Sequence, residues 1–81
     1  MDVRLYGRLA DMLGRELRLE VPGADCSVAE VRSRIAEEHP QSREHILSSR
    51  VRACVGDTLV SDTHRLKTSE ALEFFPPVSG G

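Results

Sequence analysis

Hydrophobic and polar positions alternate early in the chain. In Asp2-Val3-Arg4-Leu5-Tyr6, Val3 and Leu5 fall on one face and Arg4 and Tyr6 on the other, the period-two signature of a half-buried strand. Gly7 interrupts the pattern. Apolar residues at 9, 10, 12 and 13 then fit a helical turn over Arg8 to Leu13, and Gly14 suits its C-terminal end. From Arg15 to Val21 the alternation is cleanest, with Leu17, Leu19 and Val21 inward and charges outward. Strand, short connection and strand predict an antiparallel hairpin whose charged face meets water.

After a loop at Pro22 to Asp25 the period changes. Ser27-Val28-Ala29-Glu30 is a capping box: the hydroxyl accepts from the Glu30 amide and the Glu30 carboxylate reaches back. Cys26 and Val31 take the two positions of a hydrophobic staple around it. The helix is predicted over Val28 to Glu38, ending ahead of Pro40. Val28, Val31 and Ile35 mark its buried stripe, and Glu30 and Arg34 are expected to pair on an outer face. Gln41 to Arg50 is polar around Ile46-Leu47 and reads as a loop with a turn of helix. Arg50 to Val55 alternates again, with Val51, Ala53 and Val55 in phase. Gly56-Asp57 is a turn signal, Thr58 to Val60 a short edge strand, and Ser61 to Ser69 a polar loop pinned by Leu66. A last strand runs from Glu70 to Phe75, with Leu72 and Phe74 on one face and Glu73 and Phe75 on the other. The order ββ-α-βββ predicts an α+β fold, a mixed sheet packed against one main helix.

Composition narrows the class. The chain's 81 residues suit one small domain with a single core. A formal charge of −2 gives no reason to expect nucleic acid or an anionic membrane as partner. No apolar run approaches the roughly 20 residues needed to span a bilayer. No signal peptide is visible, because Met1 to Arg4 leads directly into the first strand pattern, so a cytoplasmic protein is expected. Cys26 and Cys54 are too few for a disulfide scaffold and read as packing thiols rather than sulfur relays. His39, His45 and His64 form no metal-ligand spacing with them, and a metal site is not expected. Arg50 and Arg52 read equally as solvated charges or as contacts to an acidic partner. No Ser-His-Asp set, paired carboxylates or phosphate loop stands out, so the side chains alone do not suggest an enzyme.

The chemistry concentrates at the end, in Phe74-Phe75-Pro76-Pro77-Val78-Ser79-Gly80-Gly81. Each proline fixes φ and lacks an amide donor, so Pro76-Pro77 cannot continue a sheet and favours an extended stem. Pro76 to Gly81 reaches at most about 20 Å at roughly 3.3 Å per residue. Gly80 and Gly81 have no side chain to clash with a narrow channel. What such a tail offers chemically is an α-carboxylate. The division expected is a domain over 1–75 and an extended tail over 76–81.

This octapeptide closely resembles the C-terminus of the small subunits of molybdopterin synthase, sulfur carriers with a ubiquitin-like β-grasp fold, whose members commonly end in Gly-Gly after Phe-Phe-Pro-Pro-Val. The chain departs from that family at two turns, with Gly56-Asp57 where Asn is common and Thr68-Ser69 where Gly-Asp is common. The resemblance implies that the first and last strands lie parallel at the centre of the sheet. Tyr6 and Phe75 would then be neighbours off the core face, and Leu59 matches a further apolar, partner-facing position. Tyr6, Leu59, Phe75, Pro76, Pro77, Val78 and Ser79 are thus the expected partner-binding residues, with Gly81, supported by Gly80, as the reacting end.

The resemblance further implies that an adenylating enzyme related to the ubiquitin-activating family, using ATP and magnesium, activates Gly81. A sulfurtransferase then supplies sulfur, leaving a thiocarboxylate. Inside the synthase's large subunit that sulfur would attack cyclic pyranopterin monophosphate and build the molybdopterin dithiolene. The implied assembly is a heterotetramer around a large-subunit dimer, with no cofactor bound by this chain. Two alternatives share the Gly-Gly end: the thiazole-synthesis sulfur carrier and a ubiquitin-like protein modifier.

Overall fold

In the computed structural model, which describes residues 1–77, the elements follow one another as β1 (Asp2–Leu5), α1 (Arg8–Leu13), β2 (Glu16–Arg18), β3 (Asp25–Ser27), α2 (Val28–Glu38), α3 (Arg43–Ile46), β4 (Arg52–Val55), β5 (Thr58–Val60), β6 (Arg65–Lys67) and β7 (Leu72–Phe75). A 3-10 turn at Pro40–Ser42 separates α2 from α3. Five strands form one sheet in the order β2-β1-β7-β4-β5. β1 and β7 run parallel at its centre, matching Val3 with Leu72, Arg4 with Glu73 and Leu5 with Phe74. Every other pairing is antiparallel. This is the β-grasp arrangement.

Alternation sorts the sheet into two faces. Val3, Leu5, Ala53, Leu72 and Phe74 are buried and meet Val28, Val31, Ile35 and Ala36 of α2, with Leu9, Leu19, Cys26, Ile46, Val51 and Leu66 closing the ends of the core. Burying each large apolar side chain of this kind contributes about 1.5–3 kcal/mol. Leu17 and Val21 pack only partly buried against the same cluster. Helix α2 has the expected bounds, and its capping box forms in full: Glu30 N–H donates to Ser27 Oγ at 3.1 Å and Ser27 N–H to Glu30 Oε2 at 3.3 Å. Gly56 at φ 61 takes the first central position of the β4–β5 turn while Asp57 stays at negative φ, the sign pattern of a type II′ hairpin.

The structure corrects several expectations. Ser61 to Ser69 is not all loop, because Arg65–Lys67 pairs with Asp25–Ser27 as a separate two-stranded sheet centred on Cys26 and Leu66. Arg50 precedes β4 rather than joining it, and the last strand begins at Leu72, after a turn closed by Glu70 N–H to the Lys67 carbonyl at 2.9 Å. Glu30 forms no ion pair with Arg34 among the described residues. Its carboxylate serves the cap and lies 3.9 Å from Arg65. Arg32, which the predicted stripe did not include, continues the buried stripe of α2 and is 5% exposed.

Arg32 is kept in the interior by nearly complete pairing. Its Nε donates to Asp62 Oδ1 at 2.8 Å, Nη1 to the Ile46 and Ser48 carbonyls at 2.7 and 3.2 Å, and Nη2 to the Val51 carbonyl at 2.5 Å. The guanidinium also sits 5.0 Å from the centroid of the Phe74 ring. One side chain thereby ties α2, the connection into β4, the 61–64 loop and the central strand together.

Candidate functional site

Strand β7 delivers the tail, and its outward residues set what surrounds the exit. Phe75 is matched across the sheet with Arg52 of β4 and stacks on Tyr6 beside β1, the ring centroids 4.5 Å apart and the planes 4° from parallel. Tyr6 is 37% exposed. Its hydroxyl donates to Glu73 Oε2 at 2.7 Å, and this bond to a carboxylate holds the phenol above its ordinary pKa. The next row on the same face runs Glu16, Arg4, Glu73, Cys54, Leu59 from β2 to β5. Leu59 is 59% exposed and lies across β4 from the aromatic pair.

The first and last strands therefore bring Tyr6, Phe75 and Pro76 to one place, with Leu59 on the same face but apart from them. Pro77 is exposed. Val78, Ser79, Gly80 and Gly81 lie outside the described residues. Sequence reasoning missed Glu73 as the tether of Tyr6, although its place one step before Phe74-Phe75 put it on the outer face. Leu47 is also exposed, at the end of α3 beside the buried Ile46. Arg52 shares the outer face with Phe75, whereas Arg50 sits in the preceding turn. Neither forms an ion pair among the described residues.

The two thiols are not poised as nucleophiles. Cys26 is fully buried in the core, and burial pushes its pKa up, with Glu30 adding to the effect. Cys54 is only half-buried and lies on the outer face, out of phase with the core. Partial burial raises its pKa too, followed by the nearby carboxylates Glu73 and Asp57. Both sites disfavour the thiolate, the reactive form. Replacing both by Ala is expected to cost on the order of 1–3 kcal/mol at most, nearly all from Cys26, while sulfur loading of the chain persists. Loss of loading in a double variant whose melting curve shows it folded would contradict this assignment. Among the described residues no three His, Cys, Asp or Glu side chains converge as a metal site would require, and no helix is long and apolar enough to cross a membrane.

Comparison with known proteins bears on both fold and family. No curated protein matches the chain. Among solved structures, SAMP1 from Haloferax volcanii superposes with a TM-score of 0.77 at 23% identity, covering 99% of this chain and 97% of that one. A second structure, of the H. volcanii small archaeal modifier protein 1, gives a TM-score of 0.78 at 20% identity, covering 95% of each chain. A candidate molybdopterin converting factor, subunit 1, from Pyrococcus furiosus gives 0.79 at 24% identity, again covering 95% of each. At these identities the likeness is one of fold. The ThiS family model matches residues 3–81, nearly the whole chain. The chain belongs to the ThiS family and is a sulfur carrier of the ubiquitin-like β-grasp fold.

Proposed function

We propose that the chain is the sulfur-carrying small subunit of molybdopterin synthase. The observation that carries this reading is the octapeptide Phe74 to Gly81, which begins in the central strand beside the stacked pair of exposed Tyr6 and half-buried Phe75. A carboxylate resists nucleophiles, because its charge repels them and oxide leaves poorly. Adenylation of Gly81 by a ubiquitin-activating-like enzyme with ATP and magnesium supplies a good leaving group. The terminal sulfur of a sulfurtransferase persulfide attacks the acyl-adenylate, AMP departs and an acyl disulfide forms; a second thiol then attacks the sulfurtransferase sulfur, forming a new disulfide with it and releasing the thiocarboxylate. Sulfur is softer and more nucleophilic than oxygen, so the tail becomes a tethered sulfide donor toward cyclic pyranopterin monophosphate.

In this reading the acid–base groups belong to the large subunit. The present chain contributes reach, a narrow tip and a docking face. Tyr6, Phe75 and Leu59 are the anchors of that face, and Pro76 to Ser79 follow the tail into the partner. Truncating Phe75 to Ala is expected to weaken association with the large subunit by roughly 1–3 kcal/mol, as loss of an aromatic anchor does. Isothermal titration measures it, and an unchanged dissociation constant would remove Phe75 from the interface.

A second reading is favoured by the likeness in fold to the H. volcanii modifier protein. Activation of Gly81 would be the same, but the acyl group would pass to lysines of other proteins. The thiazole-synthesis carrier, a third member of this chemistry, shares the fold and Gly-Gly end but generally lacks Phe-Phe-Pro-Pro and is shorter, and another partner consumes its sulfur. Affinity purification of the tagged chain separates them. A pterin-binding large subunit supports the proposal, whereas a thiazole synthase or a ladder of conjugates replaces it.

A further inference from the structure

The turn that carries the chain from β1 into α1 lies under the point where β7 hands it to the tail. Gly7 there has φ 62 and ψ −135, a conformation that residues with a Cβ rarely adopt. Its carbonyl accepts from the Asp11 amide at 3.1 Å, so the same turn opens α1. The Pro76 ring rests against it: a Cβ built on Gly7 would stand 2.8 Å from Pro76 Cγ and 3.0 Å from Pro76 Cβ. A proline ring is bonded to its own backbone nitrogen and cannot rotate aside. Making room would therefore require the main chain at Pro76 or at Gly7 to move.

The surroundings restrain that movement. Tyr6 is stacked on Phe75 and its hydroxyl is tied to Glu73, so the end of β7 is held to the residue next to Gly7. We propose that Gly7 is a positioning residue for the carrier tail: its bare Cα is the seat of the Pro76 ring and sets the direction in which the tail leaves the domain. The inference rests on the carrier reading and adds to it the residue that aims the tail. A preset direction reduces the orientational freedom lost when the tail enters a partner's channel.

The test is a double-variant cycle in the full chain, with Gly7→Ala, Pro76→Gly and both together, each first shown to fold by its melting curve. One readout is ATP–pyrophosphate exchange with the activating enzyme as carrier concentration is varied, a step common to every reading of the tail. Gly7→Ala is expected to lower kcat/KM about tenfold or more, as a displaced reacting group does. In the Pro76→Gly background the same substitution should change kcat/KM by no more than about twofold, the scatter of independent sites. An equal loss in both backgrounds would mean that backbone strain alone is responsible, and would overturn the seat. The second readout needs no activity and no variant. Nuclear Overhauser contacts between Gly7 Hα and the Pro76 ring are expected in the wild-type chain, and their absence would also overturn it. A wild-type chain that supports no exchange would count against the carrier reading, while those contacts would still decide the seat.

Discussion

Deleting Gly81 is expected to abolish both thiocarboxylate formation and molybdopterin synthesis while leaving the melting curve of the domain unchanged. The deletion draws the reacting carbon back by one residue, about 3.3 Å. Reactive geometry tolerates far less, since a misplacement of about 1 Å can cost on the order of 10²-fold. One Ala appended after Gly81 should fail equally, because the carboxylate overshoots and a Cβ is added where the proposal requires a bare tip. Neither change touches a core residue. Melting curves, intact mass after activation and product formation with the large subunit would be measured on each variant. An Ala-extended chain that transfers sulfur at the normal rate would show that the terminal carboxylate is not the carrier.

The largest effect on stability is expected from Arg32→Met. The substitution keeps much of the side chain's volume but strips the buried bonds from the Ile46 and Val51 carbonyls and leaves Asp62 without its partner. Leaving buried carbonyls without a donor costs about 1–3 kcal/mol each. A domain of this size has only about 5–15 kcal/mol in total, so the variant would sit near the edge of folding. Its Tm should fall by roughly 4–8 °C for each kcal/mol lost. Asp62→Asn should cost less, because an Asn Oδ1 can still accept from Arg32 Nε and the bonds to the Ile46, Ser48 and Val51 carbonyls remain. Thermal unfolding of both variants checks this ordering. A Tm for Arg32→Met within a few degrees of wild type would mean that the guanidinium network contributes little.

How legible each part was in the sequence follows from the range of the forces involved. Helix α2 could be bounded to the residue because the Ser27–Glu30 box and the stop at Pro40 are local chemistry. Strands β1 and β7 were legible from alternation, and their parallel pairing came from the resemblance rather than from the pattern. The β3–β6 sheet was not legible. Each strand is three residues long with one buried apolar side chain, Cys26 or Leu66, too little for a period to register. Arg32 was concealed by its charge, although Val28, Val31, Arg32, Ile35 and Ala36 form one continuous stripe, and an arginine on such a stripe signals a buried hydrogen-bonding hub. At the site, the tail's chemistry could be read directly, and alternation placed Tyr6 and Phe75 on the outer face. The Tyr6–Glu73 bond and the Gly7–Pro76 contact join opposite ends of the chain, and only the folded molecule brings them together.

The central claim, that Gly81 carries sulfur as a thiocarboxylate, meets its most direct test in one intact-mass measurement. The wild-type chain would be incubated with ATP, magnesium, the activating enzyme and a sulfur donor, then weighed. The expected result is a gain equal to one sulfur replacing one oxygen, confined to the C-terminal peptide and reversed when the loaded chain meets the large subunit and the pterin precursor. A chain whose mass is unchanged under conditions that load a known carrier, or whose only new species are conjugates to other proteins, would contradict it.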